Sequence, residues 1–288
     1  MTAAVAELFQ NYQSEIQEFS QDLMSKVQHL PEIAQSAVDD VKYTCIQQGE
    51  SQVSKKIMDT TTAVGDESFY TKGILPLYTW MGVCLFAYGF GYIIGGFMPV
   101  SMLLGMVLSG PLAAALAFVG VPYFVIKFTK KEDKEGPKRM HVMVASAIMG
   151  VLAGHAFADC YLLITAPPLW LMAMLIGLVG GLAGPSVSAS RQTTLGVLIG
   201  VPLAIEFLFG VFTGNMSATY LFYLVAFVAV FFVAIQMNLS EPATVQGDQG
   251  LRYQICIIAA AIAAQGLITY LFSYSGEKVN EAKQDEKQ

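Results

Sequence analysis

A chain of 288 residues with 55% hydrophobic and only 13% charged residues lies outside the range of ordinary water-soluble domains, about a quarter of whose residues are charged. Its formal net charge is −6, and the acidity is concentrated at the front, where residues 1–70 hold four lysines against eleven acids. That balance argues against nucleic acid or anionic lipid as a partner of this end. Cys45, Cys84, Cys160 and Cys256 stand far apart with no CxxC, so they read as reduced packing residues and not as a disulfide frame or metal knot.

Within the acidic segment, Val5, Leu8, Tyr12, Ile16, Phe19, Leu23, Val27 and Leu30 recur at spacings of three and four. This is the period of an amphipathic helix, and Pro31 ends it. A second such helix fits Ile33–Met58. Glu7, Glu15, Glu18 and Asp22 stand where a signal peptide needs its apolar core. Residues 1–72 are therefore expected to form a cytosolic helical arm on the protein's own surface. Capture of a protein partner through residues 1–60 is the other reading.

Seven apolar runs follow: Ile74–Met98, Met102–Ile126, His141–Thr165, Leu169–Gly184, Thr194–Phe212, Thr219–Met237 and Ile255–Tyr274. Most are long enough, at about 1.5 Å per residue, to cross a hydrocarbon core of about 30 Å. Lysine and arginine occur in alternate gaps. Lys127, Lys130, Lys131, Lys134, Lys138 and Arg139 follow the second run, Arg191 the fourth and Arg252 the sixth. The gaps at Pro99, Pro167 and Asn215 hold none. Under the positive-inside rule the N-terminus and the basic gaps are cytosolic. The expected architecture is all-α and polytopic: six spanning helices plus a seventh, C-terminal helix open to a re-entrant course. The bundle occupies 73–275 and a polar tail 276–288. A full seventh crossing would carry Lys278, Lys283 and Lys287 to the other side, so the C-terminus is expected to be cytosolic.

Glycines repeat at four-residue spacing at Gly91 and Gly95, Gly177 and Gly181, Gly180 and Gly184, and Gly196 and Gly200, a pattern that lets helix backbones approach closely in lipid. Pro111, Pro122, Pro185 and Pro202 mark kinks or helix ends. The two carboxylates inside predicted spans are Asp159 and Glu206, with His155 one turn before Asp159. A charged group at mid-bilayer costs roughly 2.5–3.5 kcal/mol on insertion scales, so such residues face a polar interior or carry function. Asp159, Glu206 and His155 are thus the ion- or proton-sensitive candidates, and both acids are expected to face the bundle interior. Structural hydrogen bonding and, for Asp159, a position at the lumenal end of its span are the other readings. Two ligands do not make a transition-metal site, so no metal and no cofactor is expected.

The order of these features resembles the Bax-inhibitor family (transmembrane Bax inhibitor motif proteins) over about 200 residues from Leu75. The stretches that carry it are LPLYTWMGVCLFAYGFGYIIGG, the pair Lys138–Arg139, MGVLAGHAFADC, SASRQTTLGVLIGV, Ala234–Gln236 and Gly247–Gln249. The resemblance implies six spans around a central C-terminal helix, an endoplasmic-reticulum or other intracellular membrane, calcium or other cation leak, and control of cell death or stress responses. The family closes its pore with two acids. Here one position reads Ala234, beside Gln236, and the last helix offers Gln265 as its nearest polar residue. Gln236 and Gln265 are therefore the gate candidates, and steep acid-triggered release is not expected.

Catalysis is not expected, because HExxH, GxSxG and paired-aspartate motifs are missing. The alternative is a non-conducting membrane scaffold or assembly factor in a mitochondrial or other organellar membrane, for which the acidic arm is the cue.

Overall fold

The computed structural model describes residues 67–128, 135–161, 165–188, 190–242 and 247–275. The arm helices at 1–66, most of the basic gap at 129–134 and the tail at 276–288 lie outside the described residues. The helices are α1 (Leu75–Gly96), α2 (Met98–Gly105), α3 (Gly110–Ala115), α4 (Val121–Phe128), α5 (Glu135–Ala156), α6 (Leu169–Val187), α7 (Arg191–Phe212), α8 (Ala218–Ser240) and α9 (Gly247–Phe272). Two π-helical segments are built into them. Phe69–Ile74 runs straight into α1, and Leu116–Gly120 joins α3 to α4. Each ends two residues before a proline, Pro76 and Pro122. A proline ring displaces the carbonyl four residues back and donates no hydrogen bond, so the ladder widens just ahead of it.

Among the described residues five helices are long and apolar enough to cross a membrane: Phe69–Gly96, Gly110–Lys127, Arg191–Phe212, Ala218–Ser240 and Gln249–Phe272. Leu169–Gly184 is a shorter apolar helix. The expected third crossing, α5, is long enough, but its ends carry Glu135, Lys138, Arg139, His141 and His155. The expected second run is not one helix. It breaks after Gly105, turns at Met106–Ser109, and resumes at Gly110 with Pro111 in the first turn, where a missing N–H costs nothing.

The contacts between helices fix their directions. Gly91 and Gly95 of α1 lie against the backbone of Ala147 and Val151 in α5, while Gly150 and Gly154 of α5 lie against Tyr88 and Tyr92 of α1. Positions rise together on both, so α1 and α5 are parallel. Gly177, Gly181 and Gly184 of α6 meet Thr79, Leu75 and Tyr70 in falling order, which makes α6 antiparallel to α1. Antiparallel pairing of α7 with α8 follows from Arg191 on Gln236 at one end and Glu206 on Tyr220 toward the other. Tyr253 bonds to Ala234 and Tyr223 to Thr269, so α9 is antiparallel to α8. The core is aromatic as well as aliphatic, with Tyr70, Tyr78, Tyr223, Phe227 and Phe231 fully buried among Ile74, Met81, Met149 and Ile258.

At 26 residues α9 spans about 39 Å, and Tyr274 then pairs with Tyr161 in a two-residue antiparallel bridge to Cys160–Tyr161. Cys160 follows α5, so the chain leaves α9 at the end of the bundle opposite the α8–α9 connection. The two ends of α9 therefore lie at opposite ends of the bundle, and the tail that follows, at 276–288, lies outside the described residues.

Candidate functional site

The end of the bundle with the basic gaps holds a polar knot. Arg191 opens α7 and is 2% exposed. Its Nε donates to the Gln236 Oε1 at 2.9 Å, and its Nη2 donates to the Gln236 backbone carbonyl at 3.0 Å and to the Ser240 Oγ at 2.6 Å. A guanidinium presents donors in a planar fork, so one side chain can clamp a side-chain amide, a main-chain carbonyl and a hydroxyl of a neighbouring helix together. Beside it, Asn238 donates to the Tyr78 hydroxyl at 2.9 Å, Gln254 to the Leu77 carbonyl at 3.1 Å and the Tyr253 hydroxyl to the Ala234 carbonyl at 2.9 Å. These bonds tie α1, α7, α8 and α9 at one end. The sequence reading used Arg191 only as a topology marker. Gln236, the gate candidate, is fully buried in this knot, and its partner Arg191 was missed.

At the other end, His155 in the last turn of α5 holds the α2–α3 connection. Its Nδ1 lies 2.9 Å from the Ser101 Oγ and its Nε2 lies 3.1 Å from the Leu108 carbonyl. The carbonyl can only accept, so Nε2 carries the hydrogen and Nδ1 accepts from Ser101. His155 is thus a strap between helices.

Asp159 is not an interior residue. Helix α5 stops at Ala156, the chain turns, and Asp159 is exposed. The expected shared face with His155 fails because the helix ends between them. Glu206 does face inward and is fully buried. No hydrogen bond reaches either carboxyl oxygen, although the backbone of Met172 in the first turn of α6 is placed to act on it. The Tyr220 hydroxyl donates to the Glu206 main-chain carbonyl at 2.9 Å, not to its carboxyl. Gln265 keeps a buried Oε1 with no partner. No hydrogen bond or ion pair joins Asp159, Glu206 and His155, and the two gate candidates do not meet. Among the described residues no three His, Cys, Asp or Glu side chains gather as a metal-binding set.

Of the small-residue pairs, Gly91/Gly95, Gly177/Gly181 and Gly180/Gly184 seat neighbouring helices or their side chains, whereas Gly196 and Gly200 meet nothing within 4 Å and face outward.

No curated protein and no solved structure matches the chain. The Bax-inhibitor resemblance, with the calcium leak and cell-death control it implied, is overturned by the family comparison. Those stretches were short, each of common membrane composition, and only their order carried the likeness. The chain belongs instead to the family described as "Interactor of ZYG-11", whose model matches residues 1–274.

Proposed function

We propose that this is a multi-pass protein of an intracellular membrane that binds a protein partner, the ZYG-11 of its family's description, through the arm at residues 1–60. The observation that carries the reading is the extent of the family match, residues 1–274, which takes in the acidic amphipathic arm together with the bundle. In the arm, an apolar stripe with acids on its other faces has the chemistry of a helix that docks in a partner's groove. Catalysis has no part in this reading.

Membrane embedding is supported by what the helices turn outward. Phe86, Phe90, Ile93, Leu182, Phe212 and Val225 are exposed, and an apolar surface of that extent needs lipid or another protein to cover it. Lys127, Arg139 and Arg252, also exposed, belong to the gaps that the charge rule places on the cytosolic side. The described chain runs into α1 at that same end, and on this reading the partner is met in the cytosol.

The test uses the full-length chain in lipid nanodiscs and purified ZYG-11. Wild type is expected to bind, and Ile16→Asp with Phe19→Asp is expected to abolish binding while the bundle's melting temperature stays unchanged. Undiminished binding by that variant would move the docking surface off the arm. Release of the wild-type protein from membranes by alkaline carbonate would remove the embedding.

A further inference from the structure

Glu206 is the least explained polar side chain among the described residues. It lies six residues before the end of α7, about 9 Å along the axis, so it is inside the bundle and not at its rim. The residue is 0% exposed, and both carboxyl oxygens are buried with no hydrogen bond. Among the described residues no cation is paired with it. From α6 it faces the Met172 backbone, in a first turn of Leu169, Trp170, Leu171 and Met172 with no titratable side chain. From α8 it faces Tyr220, whose hydroxyl is committed to the Glu206 main-chain carbonyl. On its own helix the nearest charge is Arg191, fifteen residues away in the sequence and held by Gln236 and Ser240. His155 is held by Ser101 and Leu108.

A carboxylate in such a place has no counter-charge beside it, and an unpaired buried charge is among the costliest arrangements in a folded chain. The first-turn N–H groups of α6 offer partial positive charge, yet no N–H closes a hydrogen bond to it. We propose that Glu206 is a buried proton-binding site: its carboxyl carries a proton while α6, α7 and α8 are packed together, and giving that proton up to the aqueous phase loosens their joint. Protonation makes the group a neutral acid, compatible with the apolar seat formed by its neighbours. Ionisation leaves a charge that only water or movement toward the α6 N-terminus can relieve.

The inference is independent of the partner reading and is tested on the full-length protein in nanodiscs. Infrared spectra at neutral pH are expected to contain a carboxylic-acid C=O band that disappears in Glu206→Gln, the neutral isostere. The wild-type melting temperature is expected to fall as pH is raised, and that of Glu206→Gln is expected to lose this part of the pH dependence. Should the variant fail to fold, an apolar carbodiimide, which reacts with protonated carboxyls, is added to wild type and the product located by mass spectrometry. Labelling at Glu206 that fades at alkaline pH supports the site. A missing acid band in wild type, a band that survives the substitution, or labelling that bypasses Glu206 overturns it.

Discussion

Two glycine pairs with the same four-residue spacing behave in opposite ways. Gly91 and Gly95 are pressed against α5, whose own Gly150 and Gly154 are pressed back against α1. Gly196 and Gly200, on α7, face outward with nothing within 4 Å. A small pair permits close approach, but approach happens only where the opposing helix is small at the matching height. Between α1 and α5 both sides are bare, so a would-be Cβ on any of the four glycines meets a main-chain carbonyl. On α7 the spacing is present without an answering surface.

The largest effect should come from breaking the closed pair. Gly95→Leu places a branched side chain against the Val151 backbone, which cannot rotate away as a side chain could. We expect a loss of more than about 3 kcal/mol, the upper range for overpacking, read as failure to purify as a folded species or as a steep drop in detergent melting temperature. Gly154→Leu should do the same from the opposite side. If both variants melt like wild type, the seam is wrong.

Next comes the knot that closes the basic end. Arg191→Met keeps the volume but removes the donors that Arg191 supplies to the Gln236 amide oxygen, the Gln236 main-chain carbonyl and the Ser240 hydroxyl. A cost of about 2 kcal/mol is expected for stranding buried acceptors, with faster hydrogen exchange confined to the last turn of α8. Unchanged exchange there would show that Arg191 is not the clamp.

The contrast also explains what the sequence could tell. The helical class and the long apolar segments were legible, since apolar length is a property of whole segments, and among the described residues five of the seven runs lie in helices long and apolar enough to cross a membrane. Inward faces were not. A membrane helix is apolar on every side, so the periodicity that marks the buried stripe of a soluble helix is erased. Gly91 and Gly95 therefore looked the same as Gly196 and Gly200, and Gly150 with Gly154 went unread beside His155. Arg191 illustrates the converse. Its charge reads from the sequence only as a topological mark, but its burial depends on Gln236 and Ser240, more than forty positions later in the chain. Asp159 was placed on a helix that ends three residues before it, with no proline or glycine between Ala156 and Asp159 to signal the stop. The partner class was open from the arm's composition, while the family was misread because membrane segments share composition without sharing descent.

A smaller effect separates a strap from a site. His155→Ala removes two hydrogen bonds to the α2–α3 connection and should cost about 1 kcal/mol. The change should appear as faster cysteine labelling at an engineered Val100→Cys, with α7–α9 unaffected. A larger, global loss would mean that α2 is integral to the bundle and not strapped onto it.

The smallest expected effect is the most telling one for the comparison. Gly200→Leu adds a side chain into open space on α7, on the same face as Gly196 and clear of Pro202 and Glu206, which are buried. With no atom to displace, stability should change by less than about 0.5 kcal/mol, the usual range for surface substitutions. Helix propensity pulls slightly the other way, since leucine is a better helix former than glycine. Thermal melting of Gly200→Leu and wild type at two protein-to-lipid ratios measures this directly. A loss comparable to that of Gly95→Leu, present when the protein is crowded and absent when it is dilute, would show that a second helix closes the α7 pair, as α5 closes the α1 pair.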